Sequence, residues 1–294
     1  MKKLLFIYNP KSGQKAISSH LSNIIEYFSK NGYLTTCYAS QAQDDARKKV
    51  RQVGGSFDEI IISGGDGTLD EVVSGTIKAK NNPIIGYIPT GSTNDFAKSI
   101  KVPTDIEKAK KIAINGKVKD LDVGVFNGKY FTYVAAFGSF AEVSYETDQN
   151  MKNIFGRFAY ILEGVKSVSN LKSYKAKITV DDEVISGEFI HLMITNSVSV
   201  GGFTGFYDNV SLDDGVFESV IVKKPTNIFQ LNKIIDGLRT SKESDFLLYR
   251  NGKKFKIESD EQINWTLDGD YGGSCEVCEV VVKNKAFKIR TGLK

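Results

Sequence analysis

The sequence predicts an α/β N-terminal domain, with a mostly parallel sheet and helices on both faces, followed by a β-rich C-terminal sandwich domain. Three observations carry this. Residues 1–125 alternate strand-like apolar runs with amphipathic helical patterns, which is how a sheet covered on both faces reads. After about residue 125, short β-rich runs separated by Gly, Asn and Asp turns take over, the pattern of an antiparallel sandwich or open barrel. The run Ile60–Ile62 ends in Ser63-Gly64-Gly65-Asp66-Gly67-Thr68, a buried strand leading through a glycine turn into a helix.

Taken in order, strands are expected near 3–8, 33–39, 58–63, 84–88 and 117–125, and helices near 16–30, 42–53, 68–79 and 104–115. Leu21, Ile24, Ile25 and Phe28 recur at helical spacing in the first helix. Thr68 and Glu71 have capping-box spacing, which starts the third helix at Thr68. Beyond 125, strands are expected at 130–138, 174–181, 184–196, 215–222, 253–258, 263–268 and 275–290, with helices near 151–169 and 226–239. The helix at 151–169 carries Ile154, Phe155, Phe158, Ile161, Leu162 and Val165 near Lys152, Arg157 and Lys166. It reads either as a helix packed on the sheet or as a wall of an apolar cleft with basic residues at a lipid–water boundary. No repeat or low-complexity linker separates the halves, so two closely packed domains are expected, 1–125 and 126–286. The tail at about 287–294 would return to the first.

Composition excludes several classes. A net charge of +4 over 294 residues, with both signs interspersed, argues against a nucleic-acid protein held by phosphate neutralisation. No apolar run reaches the length of a membrane span, and the Met-Lys-Lys start leads straight into Leu4–Tyr8 without a signal peptide's apolar core. A soluble, intracellular protein is expected. Three cysteines fit a reducing compartment. Cys275 and Cys278 form a C-x-x-C on a strand-like stretch, where residues three apart point to opposite faces. Only Cys37, His20 and His191 remain to complete a metal set, so structural zinc is not expected.

Ligands of an open α/β sheet bind outside the carboxyl ends of its strands. Three loops fall at that edge: Asn9-Pro10-Lys11-Ser12-Gly13, the Gly64–Thr68 turn, and Pro89-Thr90-Gly91-Ser92-Thr93-Asn94-Asp95. Strand, glycine turn and helix N-terminus make a phosphate-binding device, because free N–H groups and the helix dipole face the anion. Asp66 in its middle makes chemical sense beside a polyphosphate when a divalent metal lies between them. Read by itself, the turn has a second, blander reading: a tight reversal whose glycines only let the chain fold back. There is no G-x-x-x-x-G-K-[ST] string, and the G-x-G-x-x-G spacing fails because its third position falls on Asp70.

These motifs, with Leu121-Asp122-Val123-Gly124, Leu212-Asp213-Asp214-Gly215 and Asp268-Gly269-Asp270, lie in an order that resembles the soluble bacterial diacylglycerol kinase and related lipid kinase family. That family shares its catalytic region with sphingosine and ceramide kinases. The Gly-Gly-Asp-Gly-Thr string alone also occurs in NAD kinases and phosphofructokinases; the ordered set over nearly the whole chain is more specific. The resemblance implies ATP contacts from Asn9, Pro10, Lys11, Ser12 and Gly13, from Ser40, from Gly65, Asp66, Gly67, Thr68, Leu69, Asp70 and Glu71, and from Ser92. Asn94 and Asp95 would either cap the following helix or hold the metal–phosphate network. It implies a catalytic magnesium network of Asp66, Asp95 and Asp122, and a structural magnesium on Asp214 with the carbonyls of Ser211 and Val216. Without the resemblance, Asp213-Asp214-Gly215 is an ordinary hairpin turn.

The family's Asp-Gly-Glu places a glutamate as general base, and this sequence has Asp270 there, one methylene shorter. The resemblance implies ATP-dependent phosphorylation of a lipid hydroxyl, with diacylglycerol giving phosphatidate as the leading acceptor. It further implies transient contact with the inner membrane face from the cytoplasm, and a homodimer. A soluble-substrate kinase related to NAD kinase and a non-catalytic nucleotide- or lipid-binding regulator are the alternatives.

Overall fold

The computed structural model describes residues 1–12, 16–79, 81–138, 162, 168, 171–197 and 210–293. The chain divides into two compact units, Met1–Asp122 with Lys285–Lys294, and Val123–Asn284.

The first unit is built on β1 (Lys2–Tyr8), β2 (Tyr33–Ala39), β3 (Glu59–Gly64) and β4 (Ile84–Pro89), in spatial order β4-β3-β1-β2. Every ladder among them is parallel. Leu4–Ile7 and Ile60–Ile62 are buried, as strands covered on both faces must be. Helix α1 (Ala16–Lys30) buries Ile17, Ile24 and Phe28, and Phe28 meets Phe6 edge-on with ring centroids 5.7 Å apart. Helix α2 (Asp45–Val53) packs on α3 (Asp66–Thr76), where a Cβ on Gly75 would come within 2.9 Å of Val50. A short α4 (Asp95–Ser99) follows the third edge loop. Helix α5 (Ile106–Asn115) is capped by Asp105, whose side chain accepts the Lys108 N–H; this helix packs on β4 and on α1.

Two long strands pass through the division of the chain, β5 (Lys117–Phe126) and β13 (Asp270–Thr291). The last residues of β13 join the first unit. Ile289 pairs parallel with Ile85 of β4, and Phe287 packs on Phe96. Arg290 donates from Nε and Nη2 to the buried Glu59 carboxylate at 3.0 and 2.7 Å, and from Nη1 to the Gly116 carbonyl. The Tyr33 hydroxyl also donates to Glu59, at 2.8 Å. Burial and that neighbouring carboxylate push the Tyr33 pKa up to about 12.

The second unit adds β6 (Lys129–Phe131), β7 (Val134–Gly138), β8 (Tyr174–Val180), β9 (Glu183–Thr195), β10 (Phe217–Lys223), α6 (Ile228–Thr240), β11 (Leu247–Gly252) and β12 (Lys254–Leu267). Its pairings are antiparallel. Strands β9 and β12 share two partners: β8 pairs with Glu183–Phe189 and with Phe255–Ser259, while β7 pairs with the far ends of the same two strands. The pairing closes a ring around a core of Phe126, Phe137, Phe189, Phe217, Phe255 and Trp265. On β10, Val220 and Val222 turn to a second cluster instead, under Leu231, Ile234 and Leu238 of α6.

Several expectations need correction. A mostly parallel sheet does not describe the chain: parallel ladders are confined to β1–β4 and the end of β13, and the other described ladders are antiparallel. The strands expected at 253–258 and 263–268 are one strand, β12, carrying an irregularity between Glu258 and Ile263. The run at 130–138 is two strands, and β11 had no forecast. Cys275 and Cys278 do not face apart; their sulfurs are joined in a disulfide. Ile263 lies opposite Cys275 but Glu258 opposite Val277, so the regular alternation breaks at this bulge. The helix expected at 151–169 lies outside the described residues apart from Leu162 and Val168.

Candidate active site

The three edge loops of the first unit are stitched together through backbone and short polar side chains. Asn9 N–H donates to the Ser63 carbonyl (2.9 Å), and Thr90 N–H to the Gly64 carbonyl (2.8 Å). The Ser12 hydroxyl donates to the Thr90 carbonyl at 2.9 Å, and the Ser63 and Thr90 hydroxyls lie 3.2 Å apart. Within the third loop, Asn94 accepts the Gly91 N–H through Oδ1 (2.9 Å) and donates to the Gly91 carbonyl through Nδ2 (2.7 Å). The Tyr87 hydroxyl donates to the Gly64 carbonyl (3.3 Å). Burial raises its pKa well above that of free tyrosine, and the negative charges of Asp66 and Asp95 add to the effect.

Glycine is required where two of these loops touch. A Cβ on Gly91 would stand 2.5 Å from the Gly65 Cα, a backbone atom that cannot swing aside. Gly91→Ala should therefore separate the loops and destabilise the protein by about 1–3 kcal/mol, read as a lower urea midpoint together with weakened ATP binding. An unchanged midpoint and affinity would show that the loops tolerate being parted.

Asp66 is the first residue of α3 and is buried. Its Oδ2 accepts the Asp95 N–H (3.1 Å) and its Oδ1 the Phe96 N–H (3.3 Å), so it caps α4. Helix α3 thus starts two residues before Thr68, and Glu71 does not close a capping box on it. Glu71 instead accepts the Asp44 and Ala46 N–H groups at 2.8 and 3.1 Å and caps α2. Burial raises the Glu71 pKa against those two donors. Asp70 accepts from Arg47 Nη2 (3.0 Å) and from the Ser74 hydroxyl. These two side chains hold α2 against α3, and Leu69 is a core residue.

The amides of Asp66, Gly67 and Thr68 open α3 ahead of its first internal bond, Leu69 N–H to the Gly65 carbonyl, and are oriented as an anion site. Gly67 is exposed, and Gly65 and Thr68 are half-buried. Ser92 is exposed on the third loop, and Pro10 and Lys11 on the first are half-buried and exposed. The Lys11 N–H donates to Asn9 Oδ1. Ser40 closes β2, its N–H on the Tyr8 carbonyl at 2.9 Å. Gly13 lies outside the described residues.

Asp95 is buried and bridges to Lys98 Nζ at 2.9 Å. Asp122 is buried and accepts the Lys285 N–H at 2.7 Å. Among the described residues no group of three or more His, Cys, Asp or Glu side chains is arranged to hold a metal ion. The expected Asp66, Asp95 and Asp122 network is therefore not a ready-made cage. The adjacent buried carboxylates Asp66 and Asp95 do fit magnesium, a hard cation that keeps most of its waters and takes one or two carboxylates beside substrate phosphates.

In the second unit, Asp268 and Gly269 have φ of 49° and 94° and reverse the chain between Leu267 and Asp270, a two-residue hairpin of the type that needs positive φ at both positions. The Asp268 carboxylate accepts from the Thr132 N–H and hydroxyl and from the Tyr133 and Val134 N–H groups, at 2.5–2.9 Å. Withdrawal from water pushes its pKa up, and the four donors oppose that by favouring the ionised form. Asp270 follows on this anchored turn and is exposed. In the 211–216 loop, Ser211 Oγ donates to Asp213 Oδ1 (2.8 Å), and Asp214 Oδ1 accepts the Val216 N–H (3.0 Å).

Sequence reasoning overlooked Tyr87, Thr90 and Asp268 as the groups that fix these loops. Thr90 and Asp268 stood within motifs that were noticed; nothing in the sequence marks Tyr87.

Residues 3–126 match the diacylglycerol kinase catalytic domain, and residues 134–289 match the YegS C-terminal NAD kinase beta sandwich-like domain. The chain belongs to the diacylglycerol kinase-like family of lipid kinases. A diacylglycerol kinase of Bacillus subtilis is 35% identical over 277 residues, which covers 93% of this chain and 91% of the relative. One from Staphylococcus saprophyticus is 34% identical over 92% of this chain and 90% of its own length. A crystal structure of a diacylglycerol kinase from Bacillus anthracis aligns with a TM-score of 0.76 at 25% identity, covering 99% of this chain and 97% of that one.

Proposed function

We propose that this protein is an ATP-dependent lipid kinase that transfers the γ-phosphoryl group to a lipid hydroxyl, with diacylglycerol, giving phosphatidate, as its acceptor. The observation that carries the reading is buried Asp66 at the first residue of α3, beside amides that open toward an anion and next to Asp95. The first unit is the nucleotide-binding domain. Asn9–Ser12, Ser40, Gly65–Thr68 and Ser92 border the ATP, and Gly13 belongs to the same loop. Asp66 and Asp95 would hold a magnesium ion, with Asp122 in support, and the ion would supply charge neutralisation to the transfer.

The second unit is the acceptor domain. Asp270 takes the proton of the attacking hydroxyl, and its anchored hairpin fixes where that carboxylate stands. Asp214 with the Ser211 and Val216 carbonyls holds a structural magnesium. The protein works in the cytoplasm by transient contact with the inner membrane surface, and as a homodimer. Among the described residues no helix is long and apolar enough to cross a membrane.

The test is transfer of labelled γ-phosphate from ATP with magnesium to detergent-dispersed lipids, run beside NAD. Label in phosphatidate is the expected result. Label on NAD alone would favour the second reading, a soluble-substrate kinase, for which the NAD kinase-like description of the second unit speaks. Nucleotide binding without turnover on any acceptor would indicate a regulator. Asp270→Asn should lower kcat by about 10²–10⁴-fold, the usual worth of a general base, with ATP affinity unchanged.

A further inference from the structure

The first turn of α6 holds two large apolar side chains in solvent. Phe229 is 76% exposed and Ile228 50%, and Phe229 is the only exposed phenylalanine among the described residues. The helix cannot turn Phe229 inward. Its buried stripe is Leu231, Ile234, Ile235 and Leu238, and Phe229 stands about 200° around the axis from Leu231. Nor is the turn a frayed end. Asn227 Oδ1 accepts the Gln230 N–H at 3.0 Å, and Gln230 Oε1 accepts the Thr226 N–H and hydroxyl at 2.7 and 3.0 Å. These caps fix the turn. The charge around it is one-sided. Residues 223–242 carry Lys223, Lys224, Lys233, Arg239 and Lys242 against Asp236 alone, an excess equal to the net +4 of the whole chain. The remaining residues balance. Lys233 is exposed one turn after Phe229, and Lys224 also meets Glu188 at 2.9 Å.

We propose that this turn is the protein's contact with an anionic lipid bilayer. Phe229 and Ile228 enter the boundary between headgroups and acyl chains, while Lys233 and its basic neighbours meet the lipid phosphates. This rests on the lipid-kinase reading above and names the surface by which the protein reaches its membrane. Apolar side chains flanked by cations match an interface that is apolar below and negatively charged above. A second copy of the chain matches it less well. In a two-fold contact the patch would face itself, which brings like charges together and weakens the association.

Flotation of the full-length, nucleotide-free protein with phosphatidylcholine vesicles, with and without phosphatidylglycerol, tests this apart from catalysis. Wild type should bind the anionic vesicles and be released by salt. Phe229→Ser should weaken binding about tenfold, the worth of returning one buried aromatic side chain to water. Lys233→Glu should weaken it at least about fivefold. Both variants should keep the wild-type melting temperature, since neither side chain lies in the core. Trp265 is the only tryptophan of the chain and is buried, so Phe229→Trp adds a reporter whose emission should shift to the blue on anionic vesicles. If wild type binds while Phe229→Ser and Lys233→Glu bind within twofold of it, the contact lies elsewhere and the membrane reading stands. If wild type binds neither kind of vesicle, the membrane reading falls and this surface with it; label transfer to dispersed lipid reports on the kinase reading separately. A dimer that Phe229→Ser converts to a monomer in sedimentation, with vesicle binding unchanged, would assign the patch to a second copy and overturn the proposal.

Discussion

Asp66→Asn is expected to depress phosphoryl transfer by at least about 10²–10³-fold, the scale on which a pre-placed electrostatic group acts. Two effects combine. The residue loses the charge proposed to orient magnesium beside Asp95, and the new amide group turns a donor toward one of the two N–H groups the carboxylate now accepts, those of Asp95 and Phe96. Two facing donors leave one buried group unsatisfied, at about 1–3 kcal/mol. The variant should therefore melt somewhat earlier and still fold. Steady-state kinetics with parallel thermal melts separate the two effects. Turnover near the wild-type rate in a folded Asp66→Asn protein would remove Asp66 from the mechanism.

The largest expected effect on stability comes from Arg290→Met. Glu59 is 1% exposed, and its charge is met by Arg290 at 2.7 and 3.0 Å, by the Tyr33 hydroxyl at 2.8 Å and by Lys2 at 3.6 Å. Removing one partner of a buried pair strands the other, a loss of about 3–5 kcal/mol. The double variant Glu59→Leu/Arg290→Met should recover most of it, because no buried charge is then left. Urea denaturation of the four proteins of this cycle gives the coupling directly. If the single and double variants lost equal stability, the contribution would be packing and not charge.

The first half of the fold was legible because its signals are local. Apolar runs such as Ile60–Ile62 and the spacing of Ile24 and Phe28 fix strand and helix with no knowledge of their partners. The second half was less so, since strand continuity depends on pairing. Nothing local says that 254–267 is one strand, or that Leu247–Gly252 has a neighbour in β10. The candidate site divides in the same way. The three loops could be placed from the order of the strands, but the contact of Gly65 with Gly91, the Tyr87 bond to Gly64 and the fourfold grip on Asp268 join residues distant in sequence. The partners of Asp70 and Glu71 on α2, Arg47 and the Asp44 and Ala46 amides, were not legible because they are more than twenty residues away. The start of α3 moved for a related reason. A capping box is defined by spacing, and Glu71 had a competing helix to cap.

The return of β13 to β4 bears on how the protein is made. A ribosome adding about 5–20 residues per second needs roughly 10–30 s to travel from Asp122 to Arg290. Throughout that interval Glu59 lacks its guanidinium partner and Ile85 its strand neighbour. The sheet of the first unit is therefore completed last although it is synthesised first, and a nascent chain stalled within the second unit would present it with that edge open.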